Sequence, residues 1–241
     1  SLGVGNQLAT ANGDTFAYNV RDHISERTGP NGTTRYTYNA RDQLTQVASD
    51  KLNWTAEYDP LGRRIKKSWD GNEVEFYWDE NRLAAEVHNK SRTRFYVYDA
   101  PEARVPFMFM EYDSPKADPK SGRSYFVFAD QRGCPIRVED AAGKVVWQAV
   151  VDAYGTAHVA EGASIEMPLR FPGHYFDAET GLHDNRFRSY SPELGRYLQS
   201  DPLGLAGGAN LYAYPSNPLT DVDLLGLHSL TQRFVKGVSD L

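Results

Sequence analysis

Ala17-Tyr18-Asn19, Thr37-Tyr38-Asn39, Glu57-Tyr58-Asp59, Tyr77-Trp78-Asp79 and Val97-Tyr98-Asp99 recur every 20 residues. The residues leading into each aromatic alternate, as in Arg35-Tyr36-Thr37-Tyr38, which is the period-two signature of a half-buried strand. The Asn or Asp then starts a turn, because its short side chain bonds the backbone two residues on. Asp59-Pro60-Leu61-Gly62 adds a Pro that fixes φ and a Gly that accepts a positive one. A second strand follows, with Ile24, Leu44, Ile65 and Leu83 five to seven residues after the aromatic. Each repeat therefore predicts one hairpin. A lone hairpin cannot bury its own face, but a stack of them can. The period predicts an all-β fold of stacked hairpins and leaves open whether the stack is hollow.

Past the fifth unit the register loosens. Tyr112-Asp113 and Phe128-Ala129-Asp130 read as irregular descendants of the repeat. Residues 114–123 hold no apolar side chain larger than Ala or Pro, which predicts an exposed loop. No stretch reads as a linker between independently folding domains.

Composition agrees. Of 241 residues, 40% are apolar and 24% charged, so the chain can form a real core. Fifteen Tyr, eleven Phe and four Trp, together with 20 Gly and 13 Pro, suit short strands and tight turns. A net charge of −6 argues against a general nucleic-acid binder. Cys134 is alone, which excludes an internal disulfide and a Cys-based zinc site. No run reaches membrane-span length, and the opening residues, with no charged stretch ahead of an apolar one, are not expected to be a signal peptide. Ser1-Leu2-Gly3 reads as a point inside a longer polypeptide.

The repeat resembles the YD repeat of the Rhs family, found also in the shell-forming subunits of insecticidal toxin complexes and in teneurins. The resemblance implies a β-ribbon that spirals into part of a hollow shell, closed by a C-terminal core segment. The C-terminal third is similar to the Rhs core-associated segment almost position by position. It holds Phe171-Pro172-Gly173-His174-Tyr175-Phe176-Asp177, Thr180-Gly181-Leu182, Asn185-Arg186-Phe187-Arg188, Gly195-Arg196-Tyr197-Leu198, Asp201-Pro202-Leu203-Gly204 and Asp223-Leu224-Leu225-Gly226-Leu227. Three regions are expected: YD hairpins over 1–168, the core-associated segment over 169–227, and the start of a C-terminal toxin or a tail over 228–241.

In the family two DPxG motifs lie 18 residues apart, and the chain cuts itself just after the second. Here residues 205–222 are the spacer. The resemblance implies Asp201 and Asp223 as the catalytic pair, Pro202, Gly204 and Gly226 as turn residues, and Leu227–His228 as the scissile bond. Leu224 departs from the usual Pro, which frees the second turn and is expected to slow cleavage or stop it, although the Asp223 carboxylate remains. The chemistry stands on its own terms. Paired carboxyls can share one proton, one acting as base toward water and the other as acid toward the leaving amine. A tethered bond needs no substrate-binding energy. Against this, an isolated Asp-Pro-x-Gly is ordinarily only a turn.

The resemblance further implies a C-terminal toxin domain as cargo and upstream YD repeats of the same polypeptide. It also implies a type VI spike, a chaperone and an immunity protein as partners. The protein is expected to be a secreted bacterial effector, made in the cytoplasm. No cofactor or metal is expected: no His pair has zinc-protease spacing. His174 and His183 are expected to pack. Arg186, Arg188 and Arg196 are expected to satisfy buried carboxylates or carbonyls, with an anion site as the other reading. Ser229 to Val238 predicts a short helix carrying Leu230, Phe234 and Val238 on one face. The rival reading of the whole is a non-catalytic structural or adhesive module whose tyrosines stack on sugars. A glycosidase, needing carboxyls across a groove, has no pattern to support it.

Overall fold

The computed structural model describes residues 1–214, 221–227 and 230–231. Fifteen strands, from Thr10–Ala11 to Ala157–Val159, form one antiparallel sheet in unbroken chain order. The sheet is not closed, and its first and last strands lie at its two edges. A second sheet of four strands follows: Tyr175–Asp177, Leu182–Asn185, Arg188–Ser191 and Arg196–Tyr197. A last pair joins Asp221–Val222 to Leu230–Thr231. Leu230 thus lies in a strand opposite Val222, not in the expected helix. The rest of that stretch and His228 fall outside the described residues. No helix among the described residues is long and apolar enough to cross a membrane.

The conserved spacing of the aromatic has a physical cause. A bulge falls just before each of Tyr18, Tyr38, Tyr58 and Trp78. Opposite these sit Ile24, Leu44, Arg64 and Leu83, and the next repeat's aromatic donates to the carbonyl of each. Tyr38 Oη bonds the Ile24 oxygen at 2.7 Å, Tyr58 Oη the Leu44 oxygen at 2.8 Å, Trp78 Nε1 the Arg64 oxygen at 2.7 Å and Tyr98 Oη the Leu83 oxygen at 2.9 Å. A bulge disturbs the strand ladder, and these side chains supply hydrogen bonds beside it. A parallel row of arginines links successive turns. Arg21 donates to the Ala40 carbonyl, Arg41 to Pro60, Arg63 to Glu80 and Arg82 to Ala100.

Ile65 is a correction. Arg64, not Ile65, pairs with Tyr58 and takes the inward place held elsewhere by Ile24 and Leu44. Ile65 is 38% exposed and Arg64 only 2%. The buried guanidinium meets Asp177 through two bonds, at 2.6 and 3.0 Å. Lys67 joins it, bonding Asp177 and Glu179 at 3.0 Å each. This charged seam fastens the four-stranded sheet to the ribbon.

Two apolar clusters complete the join. Ile24, Leu44, Val47 and Trp54 pack with Leu182 and Leu198. Val74, Phe76, Phe109 and Trp147 pack with Met167 and Tyr175. Each large side chain so buried contributes about 1.5–3 kcal/mol, so the C-terminal segment is part of the core. Of the two expected descendants, Asp130 makes the repeat's turn, whereas Asp113 instead pairs with Arg123 at 2.8 Å. The loop over 114–123 is mostly exposed, as expected, with one 3-10 turn at Pro119–Ser121.

Candidate functional site

Asp201 and Asp223 begin turns built like those of the repeats. In a repeat turn the first residue's Oδ1 accepts two backbone N–H groups. Asn19 takes those of Arg21 and His23, Asp59 those of Leu61 and Arg63, and Asp130 those of Arg132 and Cys134, all at 2.9–3.1 Å. Asp140 and Asp152 do the same. Asp223 Oδ1 takes Leu225 N at 3.3 Å and Leu227 N at 3.0 Å. Asp201 Oδ1 takes Leu203 N at 2.8 Å, and its carbonyl takes Gly204 N. The fourth residue has positive φ throughout, including Gly204 and Gly226. The second residue is Val20, Ala40, Pro60 or Gln131 in turns that all form. Pro is therefore dispensable there, and Leu224 does not prevent the turn.

The second oxygen of each carboxylate faces Arg188. Nη2 of Arg188 lies 3.0 Å from Asp201 Oδ2 and 3.3 Å from Asp223 Oδ2, with all three side chains buried. One nitrogen thus brings two turns together from opposite ends of the spacer. The carboxyls do not meet alone, as the sequence suggested. A cation sits between them. Arg188 also donates Nε to the Gly226 carbonyl and Nη1 to the Leu211 carbonyl at 3.2 Å. Its guanidinium lies 3.8 Å from the Tyr197 ring centre.

The segment ahead of Leu227 is held at almost every residue. Asn185 Nδ2 donates to the Asp223 carbonyl at 2.9 Å, and Phe187 N to the Leu225 carbonyl at 3.2 Å. Tyr197 Oη donates to Asp223 Oδ2 at 2.9 Å. Burial and the nearby Asp223 carboxylate hold the Tyr197 phenol well above its usual range, so it remains a proton donor. Gly226 allows this fit: a Cβ there would lie 2.6 Å from the Asn185 carbonyl oxygen. Gly173 does likewise, since a Cβ would collide with the Leu224 carbonyl.

The Asp201 turn is docked on the first two hairpins. Ser200 N donates to His23 Nδ1 at 3.3 Å, and His23 Nε2 faces Asp42 Oδ1 at 3.0 Å. Gln199 Nε2 reaches the Asp42 carbonyl, and Tyr212 Oη donates to the Asp22 carbonyl at 2.7 Å. Ile24 N donates to the Leu198 carbonyl at 2.9 Å.

Pro202 and Gly204 lie in the turn that Asp201 begins, and Gly226 in the turn that Asp223 begins. His174 and His183 pack together in an aromatic box, Nδ1 to Nδ1 at 3.2 Å. Burial pushes the His174 imidazole down to about 3. Arg196 donates to the Asn6 carbonyl, whereas Arg186 bonds the Asn81 side chain. No cluster of three or more metal-ligating groups occurs among the described residues. Sequence reasoning missed the bridging place of Arg188, and also His23, Asn185 and Tyr197. Their link to Asp201 and Asp223 exists only once the four-stranded sheet forms.

The sequence model of the teneurin YD-shell family matches residues 1–207. Double-stranded DNA deaminase toxin A of Burkholderia cenocepacia is 35% identical over 92% of this chain and 17% of its own length. Toxin protein Tse5 of Pseudomonas aeruginosa is 32% identical over 92% of this chain and 19% of its own length. The chain therefore spans less than a fifth of these relatives. In fold it is similar to the TcdB2–TccC3 crystal structure without the hypervariable C-terminal region. The TM-score is 0.65 at 20% identity, over 89% of this chain and 13% of that one.

Proposed function

The chain belongs to the Rhs YD-shell toxin family, and from that premise we propose that it is the closing part of a toxin shell, which encloses a C-terminal toxin domain and frees it by self-cleavage after Leu227. Relatives that match this region carry names of different activities: a DNA deaminase, a probable deoxyribonuclease and a tRNA nuclease. A shared region under unlike names fits a common container better than a common toxic activity. On this reading residues 1–168 form wall, 169–227 form the closing and cleaving segment, and 228–241 begin the cargo. Upstream repeats would extend the open sheet edge, since an unpaired edge invites another strand. Export as a bacterial effector, with a type VI spike, a chaperone and an immunity protein as partners, belongs to the same proposal.

One observation carries the cleavage reading: Arg188 bonds Asp201, Asp223 and the Gly226 carbonyl at once. The carboxylates are thereby gathered beside the residue before the scissile one, and Asp223 Oδ1 also holds Leu227 N. In the proposed step one carboxylate removes a proton from water as the oxygen attacks the Leu227 carbonyl carbon. The other carboxyl gives its proton to the His228 nitrogen as the C–N bond breaks. The products are a Leu227 carboxylic acid and a free amine on His228, and the carboxyl pair again holds one proton. Arg188 and Asn185 position the segment and do not exchange protons.

A second reading has its own support. Asp201 and Asp223 make the same Oδ1 bonds as Asp59 and Asp130, which suits turn formers in a purely structural module. Intact mass spectrometry separates the two. A species ending at Leu227 in the wild type, absent from both Asp201→Asn and Asp223→Asn, supports cleavage. A chain intact to Leu241 in all three rejects it and leaves the structural module.

A further inference from the structure

Away from the carboxylate pair, a half-open cavity of about 50 Å³ lies between the fourth and fifth repeat turns and residues 169–175. Leu224 and Leu225 form part of its wall. Its lining includes four arginines, Arg82, Arg104, Arg170 and Arg186, and no Asp or Glu. In a chain with 32 acidic residues and a net charge of −6, that sorting is unexpected.

The arginines are unevenly neutralised: among the described residues Arg104, Arg170 and Arg186 form no ion pair, although Asp59 and Asp184 act on Arg186 from farther off. Arg82 pairs with Asp79, which does not line the cavity. Among the described residues Arg104 bonds its neighbour's carbonyl, Ala103, at 3.4 Å. Arg186 bonds the Asn81 side chain at 3.1 Å, and its buried Nε has no hydrogen-bond partner among the described residues. Arg170 donates to the Met167 and Leu169 carbonyls, and burial pulls its guanidinium down to about 10 without a carboxylate to offset it. Buried or half-buried charge without a counter-charge is costly. The remaining lining is apolar and aromatic, with Trp78, Tyr98, Pro106 and Phe171 among it.

We infer that this cavity binds a single carboxylate carried on an apolar body. Guanidinium forks favour planar oxyanions, and the apolar wall favours an aliphatic stem behind the charge. The volume admits a group of that size. A water needs roughly 10–15 Å³ measured in this way, and drug-sized ligands occupy roughly 300–1,000 Å³. Two sources supply such a group: an acidic side chain of a polypeptide segment, or a free short-chain carboxylate. Because Leu224 and Leu225 line the cavity, an occupant touches the turn that Asp223 begins. The site itself does not depend on cleavage.

Isothermal titration of the purified chain tests this, with butyrate, acetyl-Leu-Glu-Leu-amide and its Gln counterpart as probes. Saturable binding of the Glu peptide, but not the Gln peptide or butyrate, assigns the site to a polypeptide side chain. Comparable binding of butyrate assigns it to a free carboxylate. Arg104→Ala and Arg186→Gln should each weaken binding about tenfold, as loss of a charge-assisted bond does. Arg104 is half-buried and its side chain bonds only the adjacent Ala103 carbonyl among the described residues, so its variant keeps the test valid if Arg186→Gln misfolds. Absence of saturable heat from the Glu peptide and from butyrate overturns the inference. Unchanged affinity in the folded variants overturns it equally.

Discussion

Arg64 and Asp177 form a two-pronged ion pair sealed between the ribbon and the four-stranded sheet, 113 residues apart in sequence. The cation is shared, since Asp184 Oδ2 stands 3.8 Å from Arg64 Nε. The two carboxylates therefore compete for one guanidinium, and Asp177 has the shorter contacts.

That competition predicts a pH signature. Burial, only partly countered by Arg64, raises the Asp184 carboxyl to about 6 from 3.8, and Asp177 adds to the rise. A raised folded value means that the native state binds more protons than the unfolded chain between about pH 4 and 6. Stability from this group is present below that window and is lost as pH rises through it. Asp184→Asn removes the effect. The wild-type minus variant stability should fall by roughly 2–3 kcal/mol from pH 4 to 6.5. The difference must be read, not the raw curve, because Glu86 pulls the other way. There burial is outweighed by His88, Arg94 and Tyr175, which hold it down to about 2. Urea titrations at several pH values decide it, and a flat difference contradicts the assignment.

The aromatic ladder predicts a stability loss that hydrophobicity alone does not. Tyr58→Phe keeps the ring and leaves the Leu44 carbonyl without its side-chain donor. A cost of about 1–2 kcal/mol is expected. Tyr77→Phe is the control: its exposed hydroxyl bonds the Glu75 side chain, and a change within about 0.5 kcal/mol is expected. Equal effects of the two substitutions in denaturant unfolding would remove the ladder as the reason for the repeat's aromatic.

What the sequence revealed and what it hid divide along contact range. The hairpins were legible because Asn39 and Asp59 bond backbone N–H groups two and four residues on, and because Tyr38 and its counterparts recur at a fixed spacing. The turns at Asp140 and Asp152 carry the same Asp-x-x-Gly pattern and were readable, but they fall outside the 20-residue register. Arg64 was hidden because its partner lies 113 residues away, so Ile65, the apolar neighbour, seemed the inward residue. At the candidate site, spacing singled out Asp201 and Asp223, while Arg188 between them belongs to a strand with no local sign of its role. Leu230 was misassigned because helical spacing in a short stretch says nothing of a strand such as Asp221–Val222 waiting to pair with it.

Leu224 yields a prediction against first expectation. The turn at Asp223 forms with Leu in second place, as those at Asn19 and Asn39 do with Val20 and Ala40. Leu224→Pro should therefore add at most about 1 kcal/mol of stability, through the unfolded chain. If the chain cleaves itself, the rate should change less than about threefold, a shift of under 1 kcal/mol. A large acceleration, read as cleaved fraction against time, would show that turn formation limits the reaction.

His23 ties the Asp201 turn to the first two hairpins, so it predicts that the wall and the candidate cleavage site act together. His23 Nδ1 accepts Ser200 N–H, and Nε2 faces Asp42. His23→Phe retains a ring against Tyr38, its edge-on neighbour at 5.2 Å, and loses both polar contacts. A stability loss of about 1–2 kcal/mol is expected from the unpaired groups. Cleavage, if present in the wild type, should slow by about tenfold or more, because a small displacement of a positioned group is costly. Tyr58→Phe, of similar destabilisation and bonded to the Leu44 carbonyl rather than to Ser200 or Asp42, controls for stability alone. If it slows cleavage as much as His23→Phe, the wall merely lends stability; if only His23→Phe does, the first hairpins position Asp201.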